Sequence, residues 1–132
     1  MSVLIDTSAF YALLDSQDLS HDQADREWRD LLSYSGALVT SSYVVLETCA
    51  LLQNRIGLDA VRCFHEEILP SVRIEWVDAL TYGVGMTVLL AIGRRGLSLV
   101  DCVSFVVMER LGIKDVFTFD AHFKDRGFEC RP

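Results

Sequence analysis

Isolated acidic residues in apolar segments are the feature of this sequence best suited to carry chemistry. Residues 1–14, 31–54 and 97–108 each contain a single charged side chain. These three side chains are Asp6, Glu47 and Asp101. Burying an ionised carboxylate without a partner is strongly unfavourable, so each of these acids needs a specific reason to be where it is.

A fourth acid, Asp120, has a position along the chain similar to that of Asp6. Both follow short apolar runs that we predict to be strands, and open parallel sheets place their ligand crevice at the carboxyl ends of strands. Asp101 follows Ser98 by three residues, which places it in the first turn of a predicted helix. Four converging carboxylates repel one another unless a cation neutralises them, and oxygen ligands of this kind suit Mg²⁺ or Mn²⁺.

Each acid also has a purely structural interpretation. Asp101 can complete a capping box with Ser98, and Asp6 and Asp120 can cap helices. Glu47 can pair with a buried arginine or with a tyrosine hydroxyl. Its helical neighbours are Tyr43, Leu46, Ala50 and Leu51, which predicts that it lies on a buried face. Caps leave Glu47 unexplained, and this favours the metal site.

Alternating strands and helices are predicted to position these acids. We predict strands at residues 2–5, 37–40, 72–77, 115–119 and 127–131. We predict helices at residues 9–14, 20–36, 41–56, 58–69, 79–95, 98–112 and 120–126, the first capped by Thr7 or Ser8 and the second by a capping box from Ser20 to Gln23. This order is typical of an α/β fold, with a mostly parallel sheet of about five strands flanked by helices on both faces. We expect one domain over residues 1–132.

Composition restricts the class of protein. The 132 residues are 51% hydrophobic, which suits a folded domain, and no apolar run is long enough to cross a membrane. Four widely spaced cysteines in apolar patterns indicate reduced core residues, and nothing at the N-terminus has the pattern of a secretion signal, so we expect a cytoplasmic protein. The net charge of −7 argues against passive nucleic-acid binding through a basic surface.

Four motifs carry a family resemblance. The sequence has VLIDTS at residues 3–8, SYVVLE at 42–47, LSLVD at 97–101 and FTFDAHF at 117–123. In this order and at these separations they resemble the PIN domain family, in particular the stand-alone bacterial toxins of the VapC type. The resemblance covers essentially the whole chain.

This resemblance implies a metal-dependent endoribonuclease that leaves a 5′-phosphate and a free 3′-hydroxyl. It implies an acidic pocket that holds Mg²⁺ or Mn²⁺ and is formed by Asp6, Glu47, Asp101 and Asp120, with Thr7, Ser8 and Thr118 as hydroxyl neighbours. Metal held by Asp6 and Asp101 would position and deprotonate the attacking water. The resemblance also implies a cognate antitoxin protein as partner, RNA as substrate, and a homodimer.

Two other functions compete with this one. A catalytically idle protein-binding module could use the same groove, but it has no reason to keep unpaired carboxylates in its core. A phosphomonoesterase that forms an aspartyl-phosphate on Asp6 would need a second aspartate two residues later, where Ser8 stands.

Several other residues have weaker claims. Arg55, Arg94, Arg95, Lys124 and Arg126 could contact phosphates, although solvated helix ends explain them slightly better. His122 is predicted to be a bystander, and Leu13, Leu14 and Leu52 are candidates for an exposed apolar patch. The aromatic residues Trp28, Trp76, Phe105, Phe117 and Phe119 are predicted to lie in the core.

Overall fold

A five-stranded sheet organises the structure, a computed structural model that describes residues 1–34 and 36–132. Its strands are β1 (Val3–Ile5), β2 (Leu38–Ser41), β3 (Arg73–Glu75), β4 (Asp115–Phe117) and β5 (Glu129–Arg131). Every pairing is parallel, and the strand order is β3-β2-β1-β4-β5. The predicted α/β fold with a parallel sheet is therefore confirmed.

Seven α-helices connect and cover the strands in the described part of the chain. They are α1 (Thr7–Leu14), α2 (His21–Leu32), α3 (Ser42–Arg55), α4 (Leu58–Cys63), α5 (Ala79–Ile92), α6 (Leu99–Leu111) and α7 (His122–Asp125). The helix predicted at residues 58–69 changes its winding after α4, to a π turn over Phe64–Ile68 and then a 3-10 turn over Leu69–Ser71. The prediction was right about its extent and wrong about its regularity.

The sheet is buried on both faces. Along the central strand β1, Val3 and Ile5 belong to a core cluster that contains Phe10 and Phe64, whose rings meet edge to face at 4.9 Å. Leu4 belongs to a second cluster on the opposite face, built largely from α6. Successive side chains of a strand point to opposite faces, and an all-parallel sheet needs cover on both of them.

Several helix ends differ from the predictions, and three of the differences affect caps or basic residues. Helix α1 begins at Thr7, so Asp6 is the residue before the helix and the predicted caps lie inside it. Ser20 precedes α2 but makes no side-chain capping bond, so that capping box is wrong. Helix α5 ends at Ile92 because Gly93 adopts a left-handed conformation (φ 61°), which leaves Arg94 and Arg95 beyond the helix.

Some predicted surfaces and core positions are also wrong. Leu52 is fully buried because it continues the inward row of α3 with Val44 and Thr48, and so it cannot contribute to an exposed patch; Leu13 and Leu14 are half-buried. Trp76 is 75% exposed because it follows the edge strand β3 rather than lying inside the sheet. The four cysteines are free, as predicted, although only Cys102 is fully buried. In the described part of the chain, no helix has the length and apolar character needed to cross a bilayer.

Candidate active site

A cavity of about 460 Å³ lies at the carboxyl edge of the central strands β1 and β4. The predicted acids all line it, from the end of β1, the second turn of α3, the first turn of α6 and the segment after β4. They are Asp6, Glu47, Asp101 and Asp120, and Thr7 and Ser8 line it with them. Residues separated by more than a hundred positions therefore meet in one cavity.

Asp6 is held by hydroxyl groups rather than used as a helix cap. Ser8 and Thr118 both donate to its Oδ2, at 2.9 Å and 3.0 Å, and the two hydroxyl oxygens are themselves 3.2 Å apart. The Phe119 amide donates to the Ser8 hydroxyl at 2.9 Å, which ties the end of β4 to the start of α1. The side-chain donors fix one carboxylate oxygen of Asp6 and leave its Oδ1 without a side-chain donor among the described residues.

Asp101 and Asp120 each use one carboxylate oxygen to shape the backbone. Asp101 Oδ2 accepts from the Ser98 amide, and the Asp101 amide donates to the Ser98 hydroxyl, both at 3.1 Å, so the predicted capping box is present. Asp120 Oδ1 accepts from the His122 amide at 2.9 Å. Asp120 is not a helix cap, because Ala121 is the residue that precedes α7 and that helix has no side-chain cap. Both acids can still line the cavity, because a carboxylate has two oxygens and each of these contacts engages only one of them.

Glu47 is half-buried at the cavity wall rather than on the buried face that its neighbours predicted. Leu46 and Ala50 beside it are exposed, so apolar neighbours on a helix did not mean burial here. Among the described residues Glu47 has neither an ion pair nor a side-chain hydrogen bond. The hydroxyl of its helical neighbour Tyr43 does not bond to it, and the Tyr11 hydroxyl in the same cavity donates to Asp15 at 2.8 Å. The structural alternative for Glu47 therefore finds no support.

Burial and mutual repulsion disfavour the ionised form of the carboxylates in this site. Burial, followed by the charge of Asp101, raises the pKa of Asp6 from 3.8 to about 6, although the Ser8 and Thr118 hydroxyls oppose the rise. Burial also raises the pKa of Asp101, with the Ser98 amide opposing and the charge of Asp120 adding to the rise. A cation in the cavity would remove this electrostatic penalty.

Thr7 supplies a further sign that the cavity is built for a polar occupant. Its side-chain oxygen is buried and has no hydrogen-bond partner among the described residues, although Thr7 lines the cavity. An unsatisfied buried hydroxyl costs about 1–3 kcal/mol, so such groups usually have a ligand or a water as partner. The donor set, four carboxylates and an unpartnered hydroxyl, consists of hard oxygens and fits Mg²⁺ or Mn²⁺.

The structure places His122 beside the acidic cavity and near two of its carboxylates, where the sequence had predicted a bystander. Its ring lies within ligand reach of the carboxylates of Asp101 and Asp120, with the three candidate ligand atoms within 4.8 Å of one another. Its Nε2 is 3.0 Å from the Gly96 carbonyl oxygen, which identifies Nε2 as the protonated nitrogen. The signal available in the sequence was its position two residues after Asp120.

Of the five basic candidates, only Arg55 lines this cavity. Its guanidinium lies 5.3 Å from the centre of the Tyr11 ring, which also lines the cavity. The cavity is thus acidic on the side of the four carboxylates and has one cation at its margin.

Comparison with known proteins agrees with this geometry. The PIN domain family model matches residues 3–129. The chain is 35% identical, over 98% of both sequences, to a Mycobacterium tuberculosis protein described as 23S rRNA-specific endonuclease VapC20. The crystal structure of M. tuberculosis VapC20 superposes with a TM-score of 0.88 at 34% identity, covering 98% of this chain and 99% of that one.

A more distant match shows the fold alone. The structure of VapBC2 from Rickettsia felis gives a TM-score of 0.71 at 14% identity, covering 99% of this chain and 98% of that one. The family model and the 35% identity over nearly the full length nevertheless go beyond the fold. This chain therefore belongs to the PIN domain family and is a nuclease of the VapC type, as its motifs had indicated.

Proposed function

We propose that this protein is an endoribonuclease that depends on Mg²⁺ or Mn²⁺, with Asp6, Glu47, Asp101 and Asp120 as its metal-binding and catalytic residues. The observation that carries the proposal concerns the three aspartates. In each of them, one carboxylate oxygen accepts the hydrogen bonds that fix the side chain. The other carboxylate oxygen accepts no hydrogen bond from the described side chains. All three line one cavity together with Glu47.

Each acidic residue then has a distinct task. Asp6 and Asp101, the two buried members, would hold the cation, which would lower the pKa of a bound water and offset charge on the phosphoryl oxygens. Ser8 and Thr118 orient Asp6 through two hydrogen bonds to the same oxygen. Glu47 and Asp120, both half-buried, line the same cavity and would complete the site.

We further propose that the substrate is ribosomal RNA, by similarity to VapC20, which is described as specific for 23S rRNA. This substrate would place the activity in the cytoplasm. The net charge of −7 does not contradict RNA cleavage, because part of it lies in the cavity and is cancelled when cations bind. Local charge around the site then decides where RNA lies.

Metal titration tests the proposed activity. We expect Mn²⁺ or Mg²⁺ to raise the unfolding temperature of the purified protein and to be required for cutting total cellular RNA, with cutting abolished by EDTA. The new ends should carry 5′-phosphates, detectable by ligation-based sequencing. An idle protein-binding module would show neither the stabilisation nor the cuts, and that result would refute the proposal.

We also propose that a cognate antitoxin covers the acidic cavity. Among the matched structures, VapBC2 of R. felis is a complex bound to a promoter DNA fragment. In this chain, an open cavity lined by four carboxylates would accept a basic side chain from such a partner. Bound antitoxin would exclude RNA and keep the enzyme inactive.

Helix α5 supports a homodimer. Its 14 residues include no charged side chain, although one whole face is open to solvent. Leu80, Val84, Thr87 and Ala91 follow one another at helical spacing and are all exposed. On the opposite side, a methyl group added at Gly85 would come within 2.7 Å of the Val103 side chain, so that side is already packed against α6.

A second copy of this chain is the occupant we propose for the exposed face of α5. An apolar helix face normally lies against another apolar surface. Two chains of charge −7 repel each other, so a contact between copies is favoured where a surface carries no charge. A face without charges is also complementary to itself across a two-fold axis.

Leu80→Glu tests the dimer, because it places a carboxylate from each copy at this contact. Leu80 is 68% exposed, and we expect the variant to sediment as a monomer at concentrations where the wild type is a dimer. Leu58→Glu is the matched control: Leu58 is 67% exposed but lies on α4, and this variant should remain dimeric. A dimeric Leu80→Glu protein, or a monomeric wild type, would contradict the assignment.

A further inference from the structure

A second, smaller cavity lies beside the acidic one. It has a volume of about 210 Å³ and is lined mainly by Ile92, Arg94, Leu97, His122 and Arg126. The wall between the two cavities includes the hydrogen-bonded pair of the Gly96 carbonyl oxygen and His122 Nε2, 3.0 Å apart. Gly96 lines the acidic cavity and His122 lines the second one. The two cavities are therefore neighbours that meet at this pair.

The second cavity combines apolar walls with a flat cation. The Arg126 guanidinium lies 5.2 Å from the centre of the Phe105 ring, which is fully buried and therefore holds a fixed position. Ile92 and Leu97 supply apolar surface beside it. A planar guanidinium flanked by aliphatic side chains is a surface on which a nucleobase stacks.

The charges around this cavity suit a nucleic-acid strand. Arg94 pairs with Asp125 and Arg126 pairs with Glu109, both at 3.8 Å; the side chains of Arg94, Asp125 and Glu109 are more than half exposed, and that of Arg126 is 35% exposed. Pairs this long and this exposed are weak, so both guanidinium groups can exchange their partners for a phosphate or a base. Arg95 and Lys124, exposed on the same two segments, add to the local positive charge.

We propose that this cavity binds the base of a nucleotide next to the scissile phosphate, with Arg126 as the stacking surface and Arg94 as a contact to the backbone. The inference rests on the proposed ribonuclease activity. In this assignment the base must be unstacked and unpaired before it can enter the cavity. Arg126 is a specificity-determining residue in this assignment.

Abasic substitution in a short RNA substrate tests the proposal. The cut site is mapped first with the wild type, and failure to cut at this stage would count against the proposed activity rather than the subsite. Oligoribonucleotides that lack one base at each position around the cut are then compared. One abasic position should lower the wild-type kcat/KM about 10-fold or more, as expected for loss of a stacked base.

The Arg126 variants separate stacking from charge. With intact RNA, Arg126→Ala should show the same decrease in kcat/KM. Removing the base at the sensitive position should not lower the kcat/KM of this variant further, because base and guanidinium act as one unit. Arg126→Lys keeps the charge and loses the flat surface, so it should resemble Arg126→Ala. Arg62→Ala, which breaks a comparable exposed pair with Glu66 at 3.7 Å, is the matched control and should cut normally.

Three results would overturn the subsite. The first is a wild type that tolerates abasic substitution at every flanking position. The second is an abasic effect that is equally large in wild type and Arg126→Ala. The third is an Arg126→Lys protein that cuts like the wild type, which would reduce Arg126 to a nonspecific charge. Thermal unfolding of each variant confirms that it is folded before its rates are compared.

Discussion

Asp101→Asn should lower RNA cleavage by at least about 100-fold, because ligands and their immediate partners control both metal affinity and the reactivity of metal-bound water. The substitution is nearly isosteric. The remaining amide oxygen can still accept the Ser98 amide proton that Asp101 Oδ2 accepts at 3.1 Å, so the start of α6 is preserved. What is lost is the negative charge, in a place where a cation needs it.

Asp78→Asn is a suitable control for this experiment. Asp78 also caps a helix, accepting from the Thr81 amide at 2.8 Å, but it lies before α5 and does not line the acidic cavity. Both variants are incubated with total cellular RNA and Mg²⁺, and the cut ends are mapped. Normal cutting by a folded Asp101→Asn protein would refute the assignment of the site, whereas Asp78→Asn should cut like the wild type.

Two of the acids that line the cavity were predictable from sequence because burial of charge is costly everywhere in a protein. Asp6 and Asp101 are isolated in apolar segments, and both are buried in the structure. The contact that fixes Asp6, from Thr118, spans 112 positions and depends on β1 pairing with β4. Local patterns carry no information on which strands pair, so this part of the site came only from the family resemblance.

Apolar residues misled the predictions where they lie on an uncovered surface. Leu46 and Ala50 suggested that Glu47 is buried, and Trp76 was itself predicted to lie in the core, but Leu46, Ala50 and Trp76 are all exposed. An apolar side chain indicates that a surface prefers to be covered and does not indicate by what. The exposed face of α5 has the same character, which is why we assign it to a second copy.

In the absence of divalent cations, Asp6→Asn should make the protein more stable than the wild type at neutral pH. Burial and the charge of Asp101 raise the pKa of Asp6 from 3.8 to about 6. Between about pH 4 and pH 6, the folded protein therefore holds a proton on Asp6 that the unfolded chain has released. The stability due to this group is complete below about pH 4 and is lost as the pH rises through about 6.

The expected size of this effect is large for one residue. A shift of this size corresponds to at most about 3 kcal/mol at pH 7.5, since one pKa unit is worth about 1.4 kcal/mol. Asparagine carries no charge at any of these pH values, and its amide oxygen can still accept from Ser8 and Thr118. The variant should therefore match the wild type near pH 4 and exceed it near pH 7.5.

Urea unfolding of both proteins from pH 4.5 to 7.5, in EDTA and in Mg²⁺, measures the effect. Mg²⁺ should stabilise the wild type increasingly as the pH rises through about 6, because the ion competes with a proton for Asp6, and it should stabilise Asp6→Asn little at any pH. Asp101 shifts in the same direction as Asp6, so some pH dependence should persist in the variant. A stability difference between Asp6→Asn and the wild type that does not grow with pH in EDTA, or equal Mg²⁺ stabilisation of both proteins, would show that Asp6 is not the carboxylate on which the metal site is built.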